Sequence, residues 1–212
     1  MAAEIVRHLN DPSVSSKQRT RQYDELGVDY ENTVEKVGFT GHRKCSEAIC
    51  SYFQENRDKT FILDVGAGTG LLGQELYQEG FRNIDALDPS EGMLNEAKGR
   101  KVYTDFYCEY MTSKQTDTFR NDSYDVVTSC ACISPGHVPY DSIVEMIRIT
   151  KPGGLVCLSA RLENLTDQPE YAEFFPLCDQ LEKDGKWRKE EVTQFQNYMK
   201  DVDGVIVAYR VL

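Results

Sequence analysis

Residues 61–70, FILDVGAGTG, run from five residues of strand character straight into three glycines spaced two apart. Glycine at that density tolerates positive φ and leaves main chain bare enough for a ligand to lie against it. A strand that ends in such a loop and continues as a helix is the opening unit of an open α/β sheet, whose ligands bind beyond the carboxyl ends of its strands. The residues after the loop agree: 71–78 carries Leu72 and Leu76 one turn apart and stops at Gly80.

The same alternation continues along the chain. Residues 83–88 read as a second strand, and Ser90 caps a helix that carries Met93, Leu94 and Ala97 and ends at Gly99. The pattern predicts a third strand over 102–108, a fourth over 124–130 and a helix over 142–150 with Ile143, Met146 and Ile147 on one face. Lys151-Pro152-Gly153-Gly154 stops that helix before the apolar run 155–160. Strands alternating with helices imply right-handed crossovers and a parallel sheet covered on both faces, hence a doubly wound α/β fold. Residues 171–181 look helical, with Pro176 expected to kink or split the helix. Two strand-like runs, 191–198 and 205–212, then form an antiparallel hairpin. Upstream of the sheet the pattern is helical: 19–26, ended by Gly27, and a segment from Thr40 in which Cys45, Ala48, Ile49, Tyr52 and Phe53 recur at helical spacing. We therefore expect an N-terminal helical cap over 1–58 and a core over 59–212, in one compact domain.

The loop admits two ligand readings. Gly68 to Gly73 matches the dinucleotide pattern G-x-G-x-x-G, but out of frame, because the first glycine after the strand is Gly66. Asp64 just before the loop would repel a pyrophosphate and attract a cationic group, which favours a ligand with an ammonium and a sulfonium over a nicotinamide dinucleotide. Asp88 at the tip of the second strand has the acceptors for a ribose hydroxyl pair, a feature of both ligand types. Glu109 and Tyr110, after the third strand, are candidates for the adenine edge, with a solvated loop as the alternative for Glu109.

Four segments, DVGAGTG, LDPSEGML, SYDVVTS and RITKPGGLVCLS, together resemble the class I S-adenosylmethionine-dependent methyltransferases of the methyltransferase-11/25 type. Arg21-Gln22-Tyr23-Asp24 and Asp29-Tyr30 are similar to a vertebrate methyltransferase-like branch. The resemblance implies a Rossmann-like sheet of seven mostly parallel strands with a C-terminal antiparallel strand. It also implies S-adenosylmethionine as cofactor and site roles for named residues. Gly66, Ala67, Gly68 and Gly70 would wall the methionine part, and Asp64 would orient the loop and the ammonium. Asp88 and Pro89 would border the ribose, Met93 would pack on the adenine, and Glu109 with Tyr110 would border its edge. Ser129 and Ala131 would lie beneath the reactive methyl, and Tyr23 or Tyr30 would cover the cofactor, packing against the sheet being the alternative for both tyrosines.

Methyl transfer from a sulfonium is an in-line displacement, so positioning supplies much of the catalysis; a base is needed only where the acceptor must lose a proton. His137, in the Pro- and Gly-rich loop after the fourth strand, is the first candidate base, a surface histidine being the alternative; His42 and His8 are weaker. The N-terminal helices and 162–189 are expected to form a lid over the acceptor. A net charge of −11 disfavours a nucleic-acid partner, leaving a small molecule or a protein side chain as acceptor. A non-catalytic cofactor-binding scaffold is a further reading. No run approaches a membrane span and 1–10 lacks an apolar stretch, so a cytoplasmic protein is expected, with the nucleus open, and a monomer. Seven cysteines, an odd number in a chain with no apolar leader expected, read as free thiols; neither Cys45-x4-Cys50 nor Cys130-x-Cys132 has zinc spacing, and Cys130 and Cys132 read as small core residues on one strand face. No metal is expected.

Overall fold

The computed structural model describes residues 9, 11, 13–27 and 29–212; His8 lies outside them. Three helices, α1 (Ser16–Leu26), α2 (Asp29–Lys36) and α3 (Gly41–Tyr52), precede a seven-stranded sheet. α1 starts three residues earlier than the apolar pattern shows, because Ser15 and Gln18 form a reciprocal capping box; Gly27 ends it. The sheet then alternates β1 (Phe61–Val65), α4 (Leu71–Gln78), β2 (Asn83–Leu87), α5 (Glu91–Arg100), β3 (Phe106–Tyr107), β4 (Tyr124–Cys130), α6 (Ile143–Ile149) and β5 (Thr150–Arg161). After α7 (Leu162–Thr166) and α8 (Phe174–Lys183) come β6 (Trp187–Met199) and β7 (Val202–Val211).

The strand order is β3-β2-β1-β4-β5-β7-β6. β1 to β5 are mutually parallel, whereas β7 runs antiparallel to both β5 and β6. Successive residues of β1 serve opposite faces: Ile62 packs with Leu72, Leu76 and Ile49 under α3 and α4, while Leu63 and Val65 pack with Met146, Ile149 and Phe174 on the other side. Both faces are thus covered, which is why β1 reads as a continuous apolar run broken only by Asp64.

Three local expectations need correction. Residues 102–108 contribute only two residues to β3, Phe106 and Tyr107, while the Tyr103 hydroxyl turns inward to donate to Asp64 Oδ2. Pro176 neither kinks nor splits a helix: α8 begins at Phe174, so Pro176 lies in its first turn, where a missing N–H is harmless. Cys132 is not on a strand face with Cys130. β4 ends at Cys130, and Ala131 takes a left-handed φ of 66° that turns the chain outward.

Candidate functional site

The carboxyl ends of β1, β2 and β4 open into a pocket roofed by α1 and α2. The loop after β1 forms its floor. Gly66, Gly68 and Gly70 all have positive φ, but their neighbours differ. A Cβ on Gly66 would run into the Cys132 side chain, and one on Gly70 would meet Tyr103 at 2.9 Å. One on Gly68 would meet nothing within 4 Å, so Gly68 alone of the three presents open main chain to the pocket. Gly66, Ala67 and Gly68 line the cavity; Gly70 faces away from it.

Asp64 is 1% exposed, and its Oδ2 accepts from the Tyr103 hydroxyl at 2.7 Å. Its Oδ1 is buried without a hydrogen-bond partner. Burial pushes its pKa up to about 7, with nearby Asp88 adding and the Tyr103 bond opposing. Asp88, just past β2, accepts from Gly68 N at 2.8 Å with Oδ2 and from Ser90 N at 2.9 Å with Oδ1. Burial raises its pKa to about 6 against those two bonds. Asp88 therefore ties the glycine loop to the start of α5 and keeps lone pairs for a ligand. Pro89 and the buried Met93 continue the wall.

At the far end Glu109, Tyr110 and Met111 line the pocket. Glu109 accepts from the hydroxyl of Thr118 at 2.6 Å, and the Tyr110 and Thr20 hydroxyls share a 2.6 Å hydrogen bond that ties this loop to α1. Ser129 is fully buried and outside the lining, whereas Ala131 and Cys132 are in it. The Cys132 thiol donates to the Gly66 carbonyl at 3.3 Å.

Tyr23 and Tyr30 form the roof, ring edge to ring face at 6.0 Å. His137 lies beneath Tyr23 and is hydrogen-bonded on both nitrogens. Its Nδ1 is 3.0 Å from the Pro135 carbonyl, an acceptor only, which assigns the proton to Nδ1. Nε2 therefore accepts from the Tyr23 hydroxyl at 2.8 Å. Burial, then Arg19, lowers the His137 pKa to about 4. His137 is a neutral anchor for the roof, and its lone pair is taken. Arg19, 2% exposed, donates to the carbonyls of Leu9, Asp11, Val14 and Gly136, stitching the chain before α1 to the loop after β4.

The expected lid from 162–189 is absent from the lining among the described residues. Leu165, Tyr171 and Phe174 are instead buried in the core beside α6, and the Tyr171 hydroxyl supports the loop after β4 by donating to the Ser134 and Val138 carbonyls. Sequence reading missed Tyr103, Cys132, Arg19 and Asp24. Of these only Asp24 carried a signal, as part of the Arg21–Asp24 segment. No group of His, Cys, Asp and Glu able to hold a metal occurs among the described residues, and none of the described helices is long and apolar enough to cross a membrane.

A parallel sheet in this order, with an antiparallel seventh strand and a bare glycine loop flanked by two buried carboxylates, is the architecture of the class I S-adenosylmethionine-dependent methyltransferases. Residues 63–158 match the methyltransferase domain family. The chain is 31% identical to human methyltransferase-like protein 27 over 170 residues, which are 80% of this chain and 68% of that protein. It belongs to this methyltransferase family, and S-adenosylmethionine is its cofactor. In fold it is similar to the [4+2]-cyclase SpnF (TM-score 0.69, 15% identity, 94% of this chain and 98% of that one). It is also similar to a putative S-adenosylmethionine-dependent methyltransferase from Listeria monocytogenes (TM-score 0.59, 15% identity, 80% and 99%). At that identity the two structures show the fold alone.

Proposed function

We propose that this pocket binds S-adenosylmethionine with its methionyl part over Gly66, Ala67 and Gly68, its ribose at Asp88 and its adenine between Met93 and the Glu109–Tyr110 loop, and that the methyl acceptor is a small molecule with an apolar body. The observation that carries the cofactor placement is the buried Asp64 carboxylate. An oxygen with no partner beside open main chain suits a cationic ammonium, which would compensate its burial. Bound there, S-adenosylmethionine supplies an electrophilic methyl on a sulfonium.

The acceptor reading rests on what borders the pocket near Ala131. Tyr30, Phe39, Cys130, Cys132 and Val138 offer apolar surface, and α1 crosses above them, held by bonds to Tyr110 and His137. Such a roof excludes a folded macromolecule while leaving room for a small body. Because the His137 lone pair is occupied and its basicity low, the protein's contribution is to hold the acceptor in line and exclude water. The acceptor is therefore a group that attacks without first giving up a proton to the enzyme, such as a neutral amine or a resonance-stabilised anion. Incubation with methyl-labelled S-adenosylmethionine and a size-fractionated extract tests this. Label in the low-mass fraction supports the proposal, and label confined to protein or nucleic acid contradicts it.

A further inference from the structure

A small acceptor that needs no base is either a neutral amine or an anion, and the charges around the acceptor end of the pocket separate the two. Arg19 lines that end, with its N–H groups given to the neutral carbonyls of Leu9, Asp11, Val14 and Gly136. A second guanidinium stands behind the same wall. Arg161 is the last residue of β5, two beyond Ser159, which pairs with Cys130 and accepts from Ala131 N at 2.8 Å. Its side chain is 17% exposed. Among the described residues its polar contacts are a 3.3 Å donation to the Met199 sulfur, a weak acceptor, and a 3.6 Å approach to half-exposed Glu163. Most of its five N–H donors therefore have no protein partner. Arg19 and Arg161 are the charged groups that act on His137, and both oppose its protonation.

Tyr30 supplies the matching donor. It lines the pocket beside Cys130 and Cys132, and whereas the Tyr23 hydroxyl is given to His137, the Tyr30 hydroxyl is bonded to none of the described residues. Two charged groups face it, Asp88 and Arg161. The Asp88 carboxylate is turned to Gly68 N and Ser90 N, on the cofactor side. Charge flow then decides between the acceptors. An amine would take the sulfonium's positive charge onto its own nitrogen, toward two arginines; an anion cancels that charge as it reacts, and the same arginines hold it beforehand.

We propose that the acceptor is a small acidic phenol or enol bound as its resonance-stabilised oxyanion, with the Tyr30 hydroxyl donating to that oxygen and the charges of Arg19 and Arg161 balancing it. The acidic proton goes to water before binding, so His137 has no proton to take. A lone pair of the anion forms the bond to the methyl carbon while the S–CH3 bond breaks. Its electron pair stays on sulfur, and two opposite charges become two neutral centres. The inference rests on the small-molecule reading above and narrows it.

The test incubates the protein with methyl-labelled S-adenosylmethionine and a low-mass extract, then locates the label in the product by mass spectrometry. Methyl on oxygen, or on carbon next to a carbonyl, is expected; methyl on an amine nitrogen overturns the inference and leaves the small-molecule reading standing. No label in the low-mass fraction removes both. With the acceptor fraction limiting, Arg161→Gln should slow label transfer ten-fold or more and Arg161→Lys should restore most of the rate. Affinity for S-adenosylhomocysteine should change less than two-fold in both. Tyr30→Phe should slow transfer several-fold. Unchanged transfer by Arg161→Gln, or an equal loss of S-adenosylhomocysteine affinity, would overturn the role of Arg161 and with it the proposal.

Discussion

Asp24 on α1 accepts hydrogen bonds through a single oxygen, Oδ1, from the Ser90 hydroxyl at 2.6 Å and from Gly92 N at 3.0 Å, so the roof helix caps α5 from outside. Ser90 in turn donates its N–H to Asp88. The fit is close: a Cβ on Gly92 would stand 2.8 Å from the Asp24 Cα. The roof helix, the start of α5 and the Asp88 carboxylate are thus joined by a short chain of hydrogen bonds.

Asp24→Ala removes a capping acceptor and should destabilise the protein by ~1 kcal/mol. Amide hydrogen exchange should rise in residues 16–26 and at the start of α5 before it rises in the sheet. Uniform acceleration across the sheet would show that the contact is not local.

The loop glycines separate two roles that look alike in sequence. Gly66 and Gly68 share positive φ, so a valine at either strains the backbone by ~1–3 kcal/mol. Gly66→Val also forces a branched side chain into Cys132 and should lower the thermal midpoint further or prevent folding. At Gly68 an added Cβ meets no atom within 4 Å, so Gly68→Val should retain the fold while weakening S-adenosylhomocysteine binding by more than ten-fold. Thermal melts and titrations of the pair check both halves.

The pH response of the empty protein follows from opposed shifts. Asp64 and Asp88 have folded pKa values raised to about 7 and about 6. The native state therefore holds protons that the unfolded chain, with carboxylates near 3.8, has already lost, and stability falls as pH rises through that window. His42 and His137, lowered from 6.5 to about 4, act in the opposite sense: the unfolded state holds the extra protons and stability rises over pH 4–6.5. Below pH 6 the two pairs offset one another, and above it Asp64 dominates. Asp64→Asn should therefore gain stability relative to wild type between pH 5 and 8, measured by urea unfolding at each pH. A constant difference across that range would place the Asp64 titration elsewhere.

Tyr23→Phe leaves His137 Nε2 as a buried acceptor without a donor, a loss of ~1–3 kcal/mol. Because His137 anchors the roof and does not take a proton, His137→Gln should raise the KM for S-adenosylmethionine without removing a limb from the pH–rate profile. Loss of a limb would make it a base.

The strands, the glycine loop and Asp88 were legible because period-two and period-3.6 patterns report which faces are buried, and a bare loop after a strand has few other uses. The wiring of the site was not. The Tyr103 bond to Asp64 spans 39 residues and the Tyr23 bond to His137 spans 114, and no local pattern specifies a polar partner at that distance. Residues 162–189, expected as a lid, instead pack Leu165, Tyr171 and Phe174 into the core beside α6, contacts set by residues far away in the chain.

The most direct measurement is a parallel calorimetric titration of the purified protein with S-adenosylhomocysteine and NAD, repeated on Asp88→Ala. Micromolar binding of S-adenosylhomocysteine, none of NAD, and at least a ten-fold loss in the variant are expected, since hydrogen bonds to a charged group contribute ~1.5–3 kcal/mol. Binding of NAD alone, or affinity for S-adenosylhomocysteine unaffected by Asp88→Ala, would contradict the placement of the cofactor in this pocket.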